Sequence, residues 1–139
     1  MQRRNFIRLA VAGSVTGIIA PEIVFAGSSS MAGGVYYTKE APGRWSKKVA
    51  GHLPNIEVLK GDKGVSIKVV TSHGMDDYQH YIVKHIVLDK DFKFIAEKMF
   101  DPTKDKVAIS EFSLGNYKGA VNVLSVCNKH DSWLNSAVV

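Results

Sequence analysis

A chain of 139 residues with one cysteine, five histidines and a formal net charge of +5 is long enough for one domain with its own core and too short for two. A single cysteine excludes an internal disulfide, a four-cysteine iron centre and a four-cysteine zinc site. The positive excess is not gathered into a dense run with interleaved aromatics, so nothing in the composition points to nucleic acid as a partner.

The amino terminus reads Met1-Gln2-Arg3-Arg4-Asn5-Phe6-Ile7-Arg8-Leu9, then an apolar stretch from Ala10 to Ala20, then Val24-Phe25-Ala26. This is the pattern of a twin-arginine export signal with a cut after Ala26. The uncharged stretch from Leu9 to Pro21 is shorter than the roughly 18 residues a spanning helix needs. Residues 1–26 are therefore read as a cleaved signal that leaves no membrane anchor, and the mature chain is expected in the periplasm. That export route carries folded protein, so a metal can be inserted before the site meets copper and zinc, which bind such ligands more tightly. Cleavage would leave 113 residues and remove Arg3, Arg4, Arg8 and Glu22, which lowers the excess to +3. Such an excess steers an anion only where it is concentrated around a site.

Residues 27–34 are Gly, Ser, Ala and Met, read as a flexible leader, with a domain over 35–139. From there, short runs rich in β-branched and aromatic residues alternate with turn signals about every ten residues. The predicted strands run from Val35 to Thr38, Asn55 to Lys60, Val65 to Thr71, His80 to Leu88, Phe92 to Phe100, Lys106 to Leu114 and Ala120 to Cys127. Gly61-Asp62-Lys63-Gly64, Asp89-Lys90-Asp91 and Gly115-Asn116-Tyr117-Lys118-Gly119 supply turns. Period two dominates, as in Val65, Ile67 and Val69 alternating with Ser66, Lys68 and Val70, and no stretch holds a helical period. About seven strands in about a hundred residues predict an all-β, immunoglobulin-like antiparallel sandwich.

Cys127 stands three residues before His130, and His52, His73 and His80 lie upstream near strand ends and loops. One thiolate with several imidazoles suits a single redox-active transition metal, because imidazole binds iron, copper and zinc while one sulfur tunes the metal without building a cluster. The offset in Cys127-Asn128-Lys129-His130 lets one turn present both groups to one ion. His85 competes with His80 for such a role. Five residues apart in an extended strand the two side chains face opposite ways, so His85 is read as structural, on the outer face or packed beside Tyr81.

Gly51-His52-Leu53-Pro54-Asn55-Ile56-Glu57-Val58, Ser72-His73-Gly74-Met75 followed by His80-Tyr81-Ile82, and Cys127-Asn128-Lys129-His130 with Trp133 occur in one order along the chain. In that order they resemble the iron domain of the superoxide reductases, the desulfoferrodoxin and neelaredoxin group, over roughly residues 45 to 135. The resemblance implies the immunoglobulin-like fold and one mononuclear non-haem iron, cycling between Fe(2+) and Fe(3+). It implies His52, His73, His80 and His130 as equatorial ligands and Cys127 as the axial one, with the sixth position open to superoxide. The reaction it implies is one-electron reduction of superoxide to hydrogen peroxide, with the thiolate pushing electron density toward the substrate. An external donor protein, rubredoxin-like or other, must then return the electron, since one cysteine cannot build a second centre.

Two departures accompany the resemblance. Six residues separate His73 from His80, where the family has five. Ala50-Gly51 precedes His52, where the family commonly carries Glu-Lys and uses that lysine to supply charge and help protonate the product. Lys48, with Lys47 beside it, is the candidate to replace the charge. An iron-holding electron-transfer or interaction module with little superoxide turnover is the alternative, and a metal-free interaction domain a further one. The sequence also leaves open whether copies of the chain associate as a homo-oligomer.

Overall fold

The structure, a computed structural model, describes residues 31–139. Residues 1–26, read above as an export signal, and residues 27–30 of the expected leader lie outside the described residues. Seven strands follow a short helix α1 (Val49–His52): β1 (Asn55–Gly61), β2 (Gly64–Thr71), β3 (Ile82–Leu88), β4 (Phe94–Met99), β5 (Ala108–Gly115), β6 (Ala120–Cys127) and β7 (Asp131–Val138). They form a three-stranded sheet in the order β1-β2-β5 and a four-stranded sheet in the order β4-β3-β6-β7, antiparallel at every pairing. This is the expected immunoglobulin-like sandwich. Among the described residues no helix is long and apolar enough to cross a membrane.

Alternation decides which faces meet. On β2 the buried side chains are Ile67, Val69 and Thr71, and on β5 they are Ala108, Ser110 and Phe112. Against them the second sheet places Val87 of β3 and Val121 and Val123 of β6, which close one apolar cluster with Ile67, Val69 and Phe112. A second cluster, of Met75, Ile82, Phe100, Ala108 and Cys127, lies toward the other end of the sandwich. Burying a side chain of this size removes it from water at a gain of about 1.5–3 kcal/mol. The β1–β2 hairpin closes with Gly61 opposite Gly64, and a Cβ on Gly64 would stand 2.4 Å from the Gly115 carbonyl oxygen, so only glycine fits where β2 meets β5.

Several sequence expectations are corrected. The last residues of the expected leader, from Met31, join Val35 and Tyr36 in a turn, in which the Gly33 amide donates to Tyr36 O at 2.6 Å and the Val35 amide to Met31 O at 2.8 Å. The predicted strand from Val35 to Thr38 is reduced to isolated bridges, of Tyr36 to Ala32 and of Tyr37 to Trp133. The seventh strand lies instead at the carboxyl end, where β7 pairs with β6 along its whole length, from Ala120 opposite Val138 to Cys127 opposite Asp131. Cys127 thus ends β6 and His130 stands in the tight turn to β7, so the two do not follow the last strand. Pairing and a buried Trp133 outweigh the polar composition of Asp131-Ser132 and Asn135-Ser136, which hides this strand from a propensity reading.

His85 is also displaced from its expected place. It is wholly buried between the sheets, because a bulge between Ile82 and Lys84 shifts the alternation of β3 and turns His85 and Val87 inward together. The core receives it with hydrogen bonds. Ser110 Oγ lies 2.7 Å from Nδ1, Thr71 Oγ1 lies 2.8 Å from Nε2, and Ser125 Oγ lies 2.8 Å from Thr71 Oγ1.

Candidate metal centre

Four separate pieces of backbone deliver side chains to the end of the sandwich where β2 leaves and β6 turns into β7. His52 closes α1, which stops because Leu53 is already extended ahead of Pro54. His73 follows β2 by two residues. His80 precedes β3, held by a bridge between Asp77 and His80, and the Gln79 amide donates to Asp77 Oδ1 at 2.7 Å. This side-chain turn shapes the loop between the two histidines. Cys127 ends β6 and His130 stands in the turn that follows.

These five donor atoms lie within 4.8 Å of one another. His52 Nε2 is 3.0 Å from His130 Nδ1, His130 Nδ1 is 3.1 Å from His80 Nε2, and His80 Nε2 is 3.0 Å from His73 Nε2. The ring closes through His73 and His52, whose imidazoles meet edge to face at 4.6 Å, while His52 and His80 stand across from each other at 6.2 Å. Cys127 Sγ lies 3.9 Å from His73 Nε2 and 3.7 Å from His130 Nδ1, two nitrogens on opposite corners, which sets the sulfur over the middle of the group. A square of nitrogens about 3.0 Å on edge has its centre roughly 2.1 Å from each corner, the distance at which imidazole binds a first-row metal.

Tautomers test whether an ion fits. His52 Nδ1 donates to the Lys48 carbonyl at 2.9 Å and His73 Nδ1 to the Gly74 carbonyl at 2.6 Å, since a carbonyl can only accept. Both rings therefore carry a bare lone pair on the Nε2 that faces the centre. With acceptors at both ends of the series His52–His130–His80–His73, no choice of tautomers at His130 and His80 turns all three contacts into hydrogen bonds, and a cation at the centre is what such a set accommodates. Electrostatics agree. Burial first, and then the neighbouring imidazoles, push His52 down to about 4 against the opposing pull of the Lys48 carbonyl. Burial likewise lowers His80 and His130, with the charges of Lys48 and Lys129 acting in the same direction. Neutral imidazole is the ligating form. The donor set could therefore hold one metal ion.

Lys48 is exposed at the amino end of α1, and its charge is felt at both His80 and His130. A polar cleft of about 340 Å³, lined by His73, His80, Asp76, Asp77 and Lys129 among others, opens beside the ring of imidazoles. Sequence reasoning missed the second layer around His130. Trp45 meets the His130 ring edge to face at 4.7 Å, and Asp131 Oδ2 accepts hydrogen bonds from Trp45 Nε1 at 2.8 Å and Arg44 Nη2 at 2.7 Å. Those bonds, Trp45's first, hold the Asp131 carboxyl below its ordinary range. The only local signal was an aromatic and a basic residue shortly before His52, which has no meaning until the chain folds back 86 positions.

Fold and donor set together define a class, an immunoglobulin-like sandwich that presents four histidines and one cysteine to a single point at one end. No family model matches the sequence, and none of the curated proteins matches it. Solved structures do match. A variant of the superoxide reductase (neelaredoxin) from Ignicoccus hospitalis aligns with a TM-score of 0.65 and 22% identity over 77% of this chain and 94% of that one. A mutant of the superoxide reductase (neelaredoxin) from Archaeoglobus fulgidus, in its reduced form, aligns at 0.55 and 21% over 64% and 89%. The one-iron superoxide reductase from Giardia intestinalis aligns at 0.52 and 18% over 64% and 98%. The fold of this chain is thus that of the superoxide reductases, as its sequence motifs implied, and at these identities the likeness is one of fold.

Proposed function

We propose that this protein is a superoxide reductase whose one iron is held by His52, His73, His80, His130 and Cys127. The observation that carries the reading is the convergence of four imidazole nitrogens, neighbours 3.0–3.1 Å apart where hydrogen-bond distances join them, with one thiol set over their middle. When bound, ferrous iron would supply the electron that takes superoxide, with two protons, to hydrogen peroxide, and an external donor protein would restore it. The chain's own part is positional and electrostatic. Carbonyls of Lys48 and Gly74 fix the His52 and His73 tautomers, so both rings turn bare nitrogens inward. The Lys129 amide donates toward Cys127 Sγ from 3.5 Å and fixes the orientation of the sulfur over the imidazoles. Lys48 supplies positive charge for drawing in the anion, in place of the lysine that Gly51 does not provide. On the same reading, residues 1–26 direct the folded protein through the twin-arginine pathway to the periplasm.

The second reading, an iron-holding electron-transfer module, is favoured by Ala50-Gly51 alone. Stopped-flow reaction of the reduced, iron-loaded protein with superoxide separates the two. A reductase yields one hydrogen peroxide per superoxide and no oxygen, and the visible thiolate-to-iron band of the oxidised form vanishes in Cys127→Ser. A band without peroxide formation would leave the module, and no band in the parent protein would remove both.

A further inference from the structure

Asp131 adopts φ of +66°, one of only two non-glycine residues with positive φ among the described residues. Asp tolerates that conformation better than most residues, and it falls where the turn from β6 enters β7, which fixes the direction in which the carboxylate leaves the backbone. The carboxylate takes both the Trp45 indole N–H and the Arg44 guanidinium, from a single-turn 3-10 segment, Gly43–Trp45, that lies far away in sequence. Arg44 also lies over the Trp45 ring at 4.5 Å. From Trp45 the connection runs on through backbone: the Lys48 amide donates to Trp45 O at 2.8 Å, and Lys48 O accepts the His52 Nδ1 proton at 2.9 Å. At its other end the segment is pressed against the protein at Gly43, where an added Cβ would stand 2.2 Å from Gly33 O.

We propose that Asp131 is a positioning residue that anchors the strap of residues 43–48 and, through it, couples two neighbouring imidazoles. It seats Trp45 against the ring of His130, its own neighbour in the chain, and holds in place the Lys48 carbonyl that orients His52. The strap also carries the Lys48 charge toward the site. This rests on the function proposed above only for its consequence, retention of the ion, since the closure of the strap belongs to the protein with or without metal.

Asp131→Gly tests it, because glycine relieves the positive φ while releasing both hydrogen bonds. The expected result is a melting temperature within about 3 °C of the parent. The Trp45 and Lys48 amides, protected by Pro42 O and Trp45 O, should exchange about tenfold faster, while the Phe100 amide, held by Val83 O between β3 and β4, is unmoved. Trp45→Phe, which keeps an aromatic ring and removes the donor, should accelerate the same amides. Strap amides that exchange as in the parent, or that accelerate only together with Phe100, overturn the proposal. In the iron-loaded protein, Asp131→Gly should release metal to excess chelator about tenfold sooner, and equal release rates would overturn the coupling to His52 and His130. A parent protein that retains no metal would refute the proposed function, while strap exchange would still decide the role of Asp131.

Discussion

Two buried histidines, His52 and His85, lie in one small domain, and each is pushed down to about 4, with burial the leading cause. They nevertheless sit in opposite kinds of surroundings. His85 has both ring nitrogens within hydrogen-bond distance of hydroxyls, Ser110 on one side and Thr71 on the other, with Ser125 completing the set across the two sheets. Hydroxyl protons rotate to suit either tautomer, so nothing at His85 asks for a further partner. His52 satisfies one nitrogen on a carbonyl and aims the other at His130, in a group of five donors drawn from four stretches of chain. Burial and a lowered pKa are common to both, and the direction of the unshared lone pairs separates a structural histidine from a candidate ligand.

The sharpest way to break this comparison is to truncate each ring in turn. His52→Ala should lower the affinity for iron and the rate of superoxide consumption by about a hundredfold or more, as loss of a ligand exceeds the roughly 10–100-fold typical of outer-shell partners. His85→Ala should retain both and instead lose about 3 kcal/mol of stability, by leaving three hydroxyls and a cavity in the core. Chemical denaturation and metal titration of the two variants read the crossing directly, and equal effects on metal binding would erase the distinction.

Metal removal comes next. Ion bound by the folded chain alone stabilises by about 2.7 kcal/mol at a hundredfold excess over its dissociation constant. For a domain of this size that raises the melting temperature by roughly 10 °C. A chelator should return the parent protein to the lower value, leave His52→Ala where it is, and lower His85→Ala by the same interval as the parent.

Acid sharpens the comparison with a defined sign. His85 holds its proton less well folded, at about 4, than unfolded, at about 6.5. Between those values the unfolded chain binds more protons, so the His85 contribution is present above pH 6.5 and is lost as the pH falls through 4. Its size is about 3 kcal/mol, because each tenfold loss of proton affinity on folding is worth about 1.4 kcal/mol. Denaturation midpoints of the metal-free protein should decline over that window, and less steeply in His85→Gln. The smallest effect is expected at Lys48. Lys48→Ala should slow the reaction with superoxide by about two- to fivefold and flatten its dependence on ionic strength, because an exposed charge acts through a screened field. Unchanged rates and salt slopes would remove Lys48 from the site.

Much of the site was legible in the chain because its signals are short and local. Cys127 and His130 share one turn, His52 stands two residues ahead of Pro54 and a predicted strand, and period-two patterning announced a sandwich. Illegible parts depended on contacts distant in sequence. The strand from Asp131 to Val138 is polar enough to pass for a tail until β6 pairs with it along its length. The facing of His85 turned on a one-residue bulge, which inverts every side chain after it. Trp45 and Arg44 had no partner until folding brought Asp131 to them.

By itself, then, the sequence determined the kinds of donor available, one thiol and several imidazoles, and the alternating strands that would present them, because ligand chemistry and side-chain period are properties of residues and their neighbours. The four histidines that the motifs named come together only in the tertiary structure, and it alone decided that His85 is absorbed by the core and not left on the outer face. It also decided the tautomers of His52 and His73, and that Asp131, beside His130, would reach back to a strap 86 positions earlier in the chain. Those outcomes follow from register, from bulges and from carbonyls supplied by remote segments, and such distances exist only after the chain has closed.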